Sequence, residues 1–241
     1  GGDFTLQSGD FYLANVNGST NSVTVTVNGN AVLSGGIFRF ANTQSTSGPG
    51  FFVLKGNLNL SGVAFTNGWL VTTSGFYFNG SSTQTITSST ALGNVGDRFY
   101  RATAGTNTFN EIYNGSVAQT TINGTGITPG TGWSAWPTSG NLINNVTINN
   151  SAGVSLSTSK EINGALTMTS GKLAIGANTL TLAGTVSSMS ATNSLTGSSS
   201  SNLTISGTGS LGTLFFDQGT PGTSNNISAF TLNRKIGRAH V

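Results

Sequence analysis

Acidic side chains are the groups in this 241-residue sequence from which catalysis could be built, and they are few. Glycoside hydrolysis needs two carboxyl groups that face one substrate across a defined gap. A polysaccharide lyase needs clustered acids for Ca²⁺ and a basic proton acceptor. The six carboxylates are scattered instead, so we predict no catalytic residue, no metal site and no cofactor. They are Asp3, Asp10, Asp97, Glu111, Glu161 and Asp217.

Histidine and cysteine add no further chemistry. His240 is the single histidine and lies next to the C-terminal residue, and the sequence has no cysteine. If His240 is set aside, neither a Ser/His/Asp arrangement nor a histidine-ligated metal site can be assembled. The lack of cysteine excludes a disulfide framework and a thiolate metal site.

Charge and aromatic residues coincide between residues 91 and 139. We interpret this segment as an irregular excursion, either a lateral loop or a seam between two regular stretches. Loops on a rigid scaffold often carry function, and ring faces can pack on sugar C–H surfaces. We expect Asp97 and Glu111 to pair with Arg98 and Arg101 and to hold the segment in place, and a ligand-binding role is the alternative. The candidate ligand-binding residues are Tyr100, Arg101, Glu111, Tyr113, Trp133 and Trp136.

The elements that would position these residues are short strands. Between residues 145 and 216 the sequence repeats an apolar-x-apolar triplet followed by a turn of Asn, Gly, Ser or Thr. Residues i and i+2 of a strand share a face, so each triplet points two apolar side chains inward. Every second or third interval sums to about twenty residues, the scale of a stacked solenoid coil. The triplets are Val146–Ile148, Val154–Leu156, Leu166–Met168, Leu173–Ile175, Leu180–Leu182, Leu203–Ile205 and Leu214–Phe216.

Residues 4–78 follow the same pattern with larger apolar residues. Val23–Val27 alternates and stops at Asn28-Gly29-Asn30, a strong turn signal because Asn and Gly tolerate positive φ. We predict that the aromatic residues here form a core, and the alternative is a sugar-binding face. The further apolar segments are Ile37–Phe40, Phe51–Leu54, Leu58–Leu60, Val63–Phe65, Trp69–Val71 and Phe76–Phe78.

Composition favours an ordered chain. Gly, Thr, Ser and Asn make more than half of the residues, a bias that often accompanies disorder. However, 35% of the residues are hydrophobic and recur at period 2, and only 6% are charged. We therefore predict an all-β fold: a right-handed parallel β-helix of roughly ten coils. Asn residues at its turns would stack one coil apart. The alternative is an antiparallel β-sandwich joined by Asn-Gly hairpins.

Both ends of the sequence carry signs of a cut gene. Residues 235–241 resemble the translation of a common sequencing-library adapter, so we interpret residues 1–234 as a single β-solenoid unit and the tail as an artefact. Without the tail the net charge of +3 falls to seven basic and six acidic groups, which leaves no basic patch for nucleic acid. The start shows no initiator methionine and no export signal. No apolar run approaches eighteen residues, so we expect no membrane span. A severed solenoid would expose strand edges, and we expect it to associate end to end.

Several segments resemble the repetitive regions of very large secreted bacterial surface proteins, those exported by type IX secretion above all. The resemblance covers a little under half of the chain. It implies a β-solenoid segment of an adhesin-like protein, located outside the cell or on its surface, with flanking repeats of the parent chain as partners. On this basis we expect a structural spacer; a carbohydrate- or surface-binding module that takes polysaccharide or surface glycans and a polysaccharide lyase or hydrolase are the alternatives. The segments are Phe76–Ile86, Asn144–Asn150, Gly164–Gly171, Leu173–Leu182 and Ser201–Leu211.

Overall fold

A computed structural model describes residues 2–13, 21–40, 48–65, 73–123, 129, 131–219 and 225–235. Within these ranges the protein is all-β, as predicted, and its sheets are mostly parallel. One 3-10 helix, Gly93–Asp97, is the helical element found in them. The predicted triplet Trp69–Val71 and His240 lie outside the described residues.

The strands are short, as expected for triplets that are separated by turns. The first twelve are β1 (Phe4–Leu6), β2 (Asp10–Tyr12), β3 (Val23–Val27), β4 (Ala31–Leu33), β5 (Ile37–Arg39), β6 (Gly50–Leu54), β7 (Leu58–Leu60), β8 (Ala64–Phe65), β9 (Gly75–Phe78), β10 (Gln84–Ser88), β11 (Phe99–Ala102) and β12 (Phe109–Gly115). The others are β13 (Gln119–Thr120), β14 (Trp133–Ala135), β15 (Ile143–Asn150), β16 (Val154–Ser155), β17 (Lys160–Ile162), β18 (Ala165–Ser170), β19 (Leu173–Ala174), β20 (Thr179–Leu182), β21 (Thr185–Ser187), β22 (Leu195–Thr196), β23 (Asn202–Ile205) and β24 (Ala229–Leu232).

The chain divides into two compact units. Unit 1 comprises Gly1–Asn107 and Ile122–Pro137, and unit 2 comprises Thr108–Thr121 and Thr138–Val241. All boundaries between them fall inside residues 91–139, the segment in which the regular triplets thin out. That residues 1–234 form a single repeating unit stays a prediction.

Unit 1 repeats at an interval longer than twenty residues. Strands β1, β4, β7 and β10 pair in parallel, and their register partners Phe4, Ala31, Leu58 and Ile86 are 27 or 28 residues apart. A second parallel sheet contains β3, β6, β9 and β11, to which β14 adds an antiparallel strand. A third contains β2, β5 and β8. Each chain return therefore places a strand beside its predecessor.

Between β15 and β23, unit 2 has the predicted interval of about twenty residues. The register partners Val146, Leu166 and Val186 in β15, β18 and β21 are 20 residues apart. Two further parallel sheets contain β13, β16, β19 and β22, and β17, β20, β23 and β24. Antiparallel hairpins, on which the sandwich alternative depended, do not join these strands. The β11–β14 pair is the antiparallel pairing among the described strands.

The cores follow the residue types that each stretch supplies. In unit 1 the rings of Phe38, Phe52 and Phe76 are fully buried, with centroids 5.2 to 5.9 Å apart. The prediction that the aromatic residues of the first stretch form a core is therefore confirmed. In unit 2 the ladder of Val146 and Leu166 is 0 or 1% exposed. Full burial of one such side chain contributes about 1.5–3 kcal/mol.

One predicted triplet is wrong. Residues Leu214–Phe216 form no strand, and their pairing is limited to an isolated bridge between Phe216 and Leu195. Phe215, the outward residue, is 36% exposed. The apolar-x-apolar pattern is present in this segment. However, a strand forms only where the segment hydrogen-bonds to a neighbouring strand along its length.

Candidate functional site

The predicted ligand residues of unit 1 lie largely in its core. Tyr100, on β11, is 1% exposed and stacks at a tilt on Tyr77, with ring centroids 4.7 Å apart. Trp133, on β14, meets the same Tyr77 ring edge-on at 4.7 Å. β14 pairs antiparallel with β11. Tyr100 lies opposite Ala135, Arg101 opposite Ser134 and Ala102 opposite Trp133.

Trp136 is also a core residue. It is 2% exposed, and its ring centroid lies 5.1 Å from that of Phe78 and 5.8 Å from that of Phe99. The alternative interpretation as a binding module would use exposed rings of Tyr100, Tyr113, Trp133 and Trp136, but three of these rings are covered and Trp133 is half-buried. These rings are covered because packing against other rings is more favourable in free energy than exposure to water. The ligand role of the six residues stays a prediction.

A buried cation lies beside the two tyrosines. Arg98 is 7% exposed, and burial lowers its pKa, an effect that Tyr100 and Asp97 oppose. Burial raises the pKa of Tyr77 and of Tyr100. The Tyr77 hydroxyl donates a hydrogen bond to the Thr73 carbonyl oxygen. The raised pKa values mean that burial favours the neutral form of both phenols.

The charged residues of the irregular segment only partly form the expected pairs. Asp97 interacts with Arg98 and accepts a 2.8 Å hydrogen bond from the Asn123 side chain. Arg101 donates to the carbonyl oxygens of Ala102 and Gly105 at 3.3 and 3.2 Å. Glu111, which we expected beside an arginine, belongs to unit 2 and pairs with a lysine. The prediction was therefore wrong for Glu111.

The most unusual polar group of unit 2 is the network of Glu111, Tyr113 and Lys160. Lys160 Nζ donates to both carboxylate oxygens of Glu111, at 2.7 Å to Oε1 and 2.6 Å to Oε2. The Tyr113 hydroxyl donates to Oε2 at 2.6 Å. The three residues are at most 2% exposed. Isolated charges are costly to bury, whereas a pair with short, charge-assisted hydrogen bonds recovers much of that cost.

Strand alternation explains how these side chains meet. Glu111 and Tyr113 occupy alternate inward positions of β12, whose burial alternates along its length. Lys160 begins β17 and, like Ile162 two residues later, is directed inward. Lys160 was not among the residues singled out from the sequence, which named only its neighbour Glu161. Glu161 accepts a hydrogen bond from the Gly140 amide. The signal that could have found the pair was a charged residue at an inward position of each strand.

Asparagine side chains link successive strands in both units. In unit 1 the Asn57 amide donates to the Asn30 side-chain oxygen at 2.9 Å, and the Thr85 amide donates to that of Asn57 at 2.7 Å. In unit 2 the Asn145 amide donates to Asn110 Oδ1 at 3.1 Å. The Asn30–Asn57 contact lies next to turns, as predicted, whereas Asn110 and Asn145 lie within β12 and β15 and Thr85 follows Asn57, so a continuous asparagine stack at the turns stays a prediction.

A shallow groove runs along the outer face of β4, β7 and β10 in unit 1. Its volume is about 400 Å³. Hydroxyl and carboxamide groups from neighbouring strands line it together with the half-buried Val32. Such a surface offers donors and acceptors at the spacing of the strands. The polar residues along it are Asn30, Asn57, Asn59, Thr85 and Thr87.

Neither a cluster of metal-ligating side chains nor a membrane-spanning helix occurs among the described residues. In the part of the chain that the structure describes, no three His, Cys, Asp or Glu side chains converge as a metal site would require. The described ranges contain no helix with the length and apolarity to cross a membrane.

Comparison of the chain with protein-family models, with curated proteins and with solved structures finds no match.

Proposed function

We propose that this chain is a non-catalytic spacer segment of a secreted or cell-surface bacterial adhesin-like protein, and that each of its units is a right-handed parallel β-helix. The parallel sheets and the regular return intervals support the fold. A crystal structure tests it directly. Left-handed connections, or sheets that do not enclose a common core, would contradict it.

One observation carries the spacer function: the Glu111–Lys160 pair is buried and internally satisfied. Glu111 lies on β12, whose neighbour in the same sheet is β15. Lys160 lies on β17, which follows β15 along the chain and belongs to a different sheet. The pair therefore fastens successive chain returns to each other. A spacer must transmit load without unfolding, and a cross-strand ion pair shielded from water resists separation more than an exposed one.

Single-molecule pulling through the two chain ends tests this function. We expect the wild-type chain to unfold at higher force than Lys160→Met, and Lys172→Met to resemble the wild type. Lys172 is the matched control because its ion pair with Asp217 is partly exposed. Equal unfolding forces for all three proteins would contradict the load-bearing assignment.

A carbohydrate- or surface-binding module is the second candidate function, favoured by the groove on β4, β7 and β10. Asn59 and Thr87 present a carboxamide and a hydroxyl there. A glycan array tests it, with Asn59→Ala/Thr87→Ala as the groove variant and Thr167→Ala as the control on an outward position of unit 2. Binding that only the groove variant loses would replace the spacer proposal. Polysaccharide cleavage remains the third reading and has no proposed catalytic residue.

A further inference from the structure

The contact between Glu111 and Lys160 places an amine against the carbon atom of a carboxyl group. Lys160 Nζ lies 2.7 Å from Oε1 and 2.6 Å from Oε2 of Glu111. Because Nζ is nearly equidistant from the two oxygens, it lies about 3 Å from Cδ, which is the separation of a near-attack arrangement. Rotation of the carboxyl group about its Cγ–Cδ bond presents the face of Cδ to Nζ. The two atoms are therefore positioned to form a bond.

The strands that carry the two side chains hold this arrangement in place. Glu111 is aligned with Val146 in the β12–β15 pair, and Lys160 is aligned with Leu180 in the β17–β20 pair. Two groups that are fixed in a productive geometry react as if their concentration were about 10⁵–10⁸ M. Condensation of a free amine with a free acid is unfavourable in water, and fixed positions of this kind offset that disadvantage.

Burial supplies the protonation states that such a reaction needs. Both side chains are 0% exposed. An ammonium ion has no free electron pair, so the reactive forms are the neutral amine and the neutral carboxylic acid. Transfer of one proton from Nζ to the carboxylate produces both forms at once. Removal from water favours this neutral form, because isolated charges are costly to bury.

Tyr113 selects the oxygen that leaves. Its hydroxyl donates a 2.6 Å hydrogen bond to Oε2 of Glu111, and the residue is 1% exposed. A donor at an oxygen stabilises the negative charge that develops there when the amine attacks Cδ. Oε2 is therefore the leaving oxygen, and Oε1 becomes the carbonyl oxygen of the product.

We propose that Lys160 and Glu111 condense in the folded protein to form an amide cross-link. The Nζ–Cδ bond forms and the Cδ–Oε2 bond breaks. Oε2 leaves as water with two of the three ammonium protons, so the step needs no oxidant, reductant or other reactant. The ion pair is the state from which the reaction starts. Exclusion of water from the site protects the amide from hydrolysis.

The cross-link would join residues that are 49 positions apart in sequence. It would keep β12 and β17 connected after the strands around them separate, as a disulfide does in other proteins. This inference goes beyond the spacer function and does not depend on it, because the reaction requires only the folded unit 2.

Mass spectrometry of the denatured wild-type protein, sampled during incubation at neutral pH, tests the proposal. We expect a species that is lighter than the sequence by one water molecule, and its fraction should rise with time. Trypsin cuts after Lys and Arg, and neither occurs between Arg101 and Lys160. Unreacted protein therefore gives the peptides 102–160 and 161–172. Cross-linked protein gives one peptide, 102–172, because an acylated Lys160 is not cut, and this peptide has no added water.

Two variants and an internal control locate the reaction. Lys160→Arg keeps the positive charge but cannot be deprotonated, so it should lose no water. Tyr113→Phe removes the donor to Oε2 and should slow the reaction at least about tenfold. Lys172 forms a 2.8 Å ion pair with Asp217, but their side chains are 44% and 12% exposed. Trypsin should therefore cut after Lys172 in every sample. Circular dichroism verifies that each variant is folded.

The outcomes that would overturn the proposal are equally specific. A wild-type protein that keeps the full mass of its sequence throughout the incubation, with Lys160 still cut by trypsin, would do so. Loss of water from Lys160→Arg would also do so, because the reaction would then lie at another pair of groups. Condensation of Tyr113→Phe at the wild-type rate would overturn the role assigned to Tyr113.

Discussion

Lys160 and Glu111 are 49 residues apart in sequence, yet Lys160 Nζ lies within 2.7 Å of both carboxylate oxygens of Glu111. Both side chains are completely removed from solvent. A surface pair contributes little, since water and salt screen it. A buried pair has a different character: loss of one partner leaves the other charge without compensation.

Lys160→Met should therefore destabilise the protein by about 3–5 kcal/mol, because the Glu111 carboxylate remains buried without its cation. The measurement is chemical denaturation followed by circular dichroism. The triple variant Glu111→Leu/Tyr113→Phe/Lys160→Met removes all three polar groups and should recover most of the loss. Lys172→Met, at a partly exposed pair, should cost at most about 1 kcal/mol. If Lys160→Met lowers the free energy of unfolding no more than Lys172→Met does, burial does not make the Glu111–Lys160 pair more stabilising than a partly exposed pair.

Stability should fall at alkaline pH because of Tyr77 and Tyr100. Burial raises the pKa of both phenols in the folded state above the ordinary value of about 10. Their contribution is fully present below pH 10 and is lost as pH rises further, because the unfolded chain releases these protons first. Denaturation midpoints between about pH 9 and pH 11 should therefore drop, and Tyr77→Phe/Tyr100→Phe should flatten the drop. Tyr12→Phe is the control. An identical slope in the double variant would contradict the assignment.

Asn57→Ala should cost about 0.5–1.5 kcal/mol, because the Thr85 amide loses its acceptor. Asn59→Ala on the same strand is the control, since Asn59 Oδ1 makes no hydrogen bond within the described residues. Its effect should stay below about 0.5 kcal/mol. Thermal unfolding measures both. A larger effect at Asn59 than at Asn57 would contradict the role of the asparagine ladder.

Gly171→Ala should be more damaging than Gly209→Ala. Both glycines have positive φ, at 81° and 76°, where an alanine costs about 1–2 kcal/mol. At Gly171 the added Cβ would also collide with the Asn150 carbonyl oxygen, whereas nothing lies within 4 Å at Gly209. The difference between the two free energies of unfolding measures the collision. Equal losses would mean that Asn150 moves away without cost.

The sequence predicted the strands and their inward residues well where triplets were regular. Val146, Leu166 and Leu180 are buried as expected, because the two-residue period of a strand is a local property. It predicted the twenty-residue interval for unit 2 but not the 27-residue interval of unit 1, where triplets are less regular. Tyr100 and Trp136, which it offered as part of an alternative ligand platform, both lie in the core.

Local spacing thus determined that this chain forms short strands with alternating burial and asparagine-rich turns. Only the tertiary structure decided which strands become neighbours, since that depends on how far the chain travels before it returns. The Glu111–Lys160 pair illustrates the difference. Each residue occupies an inward position that its own strand defines, but their contact exists because two successive returns place those positions side by side. No local pattern encodes that distance, so the partner of a buried charge had to come from the fold.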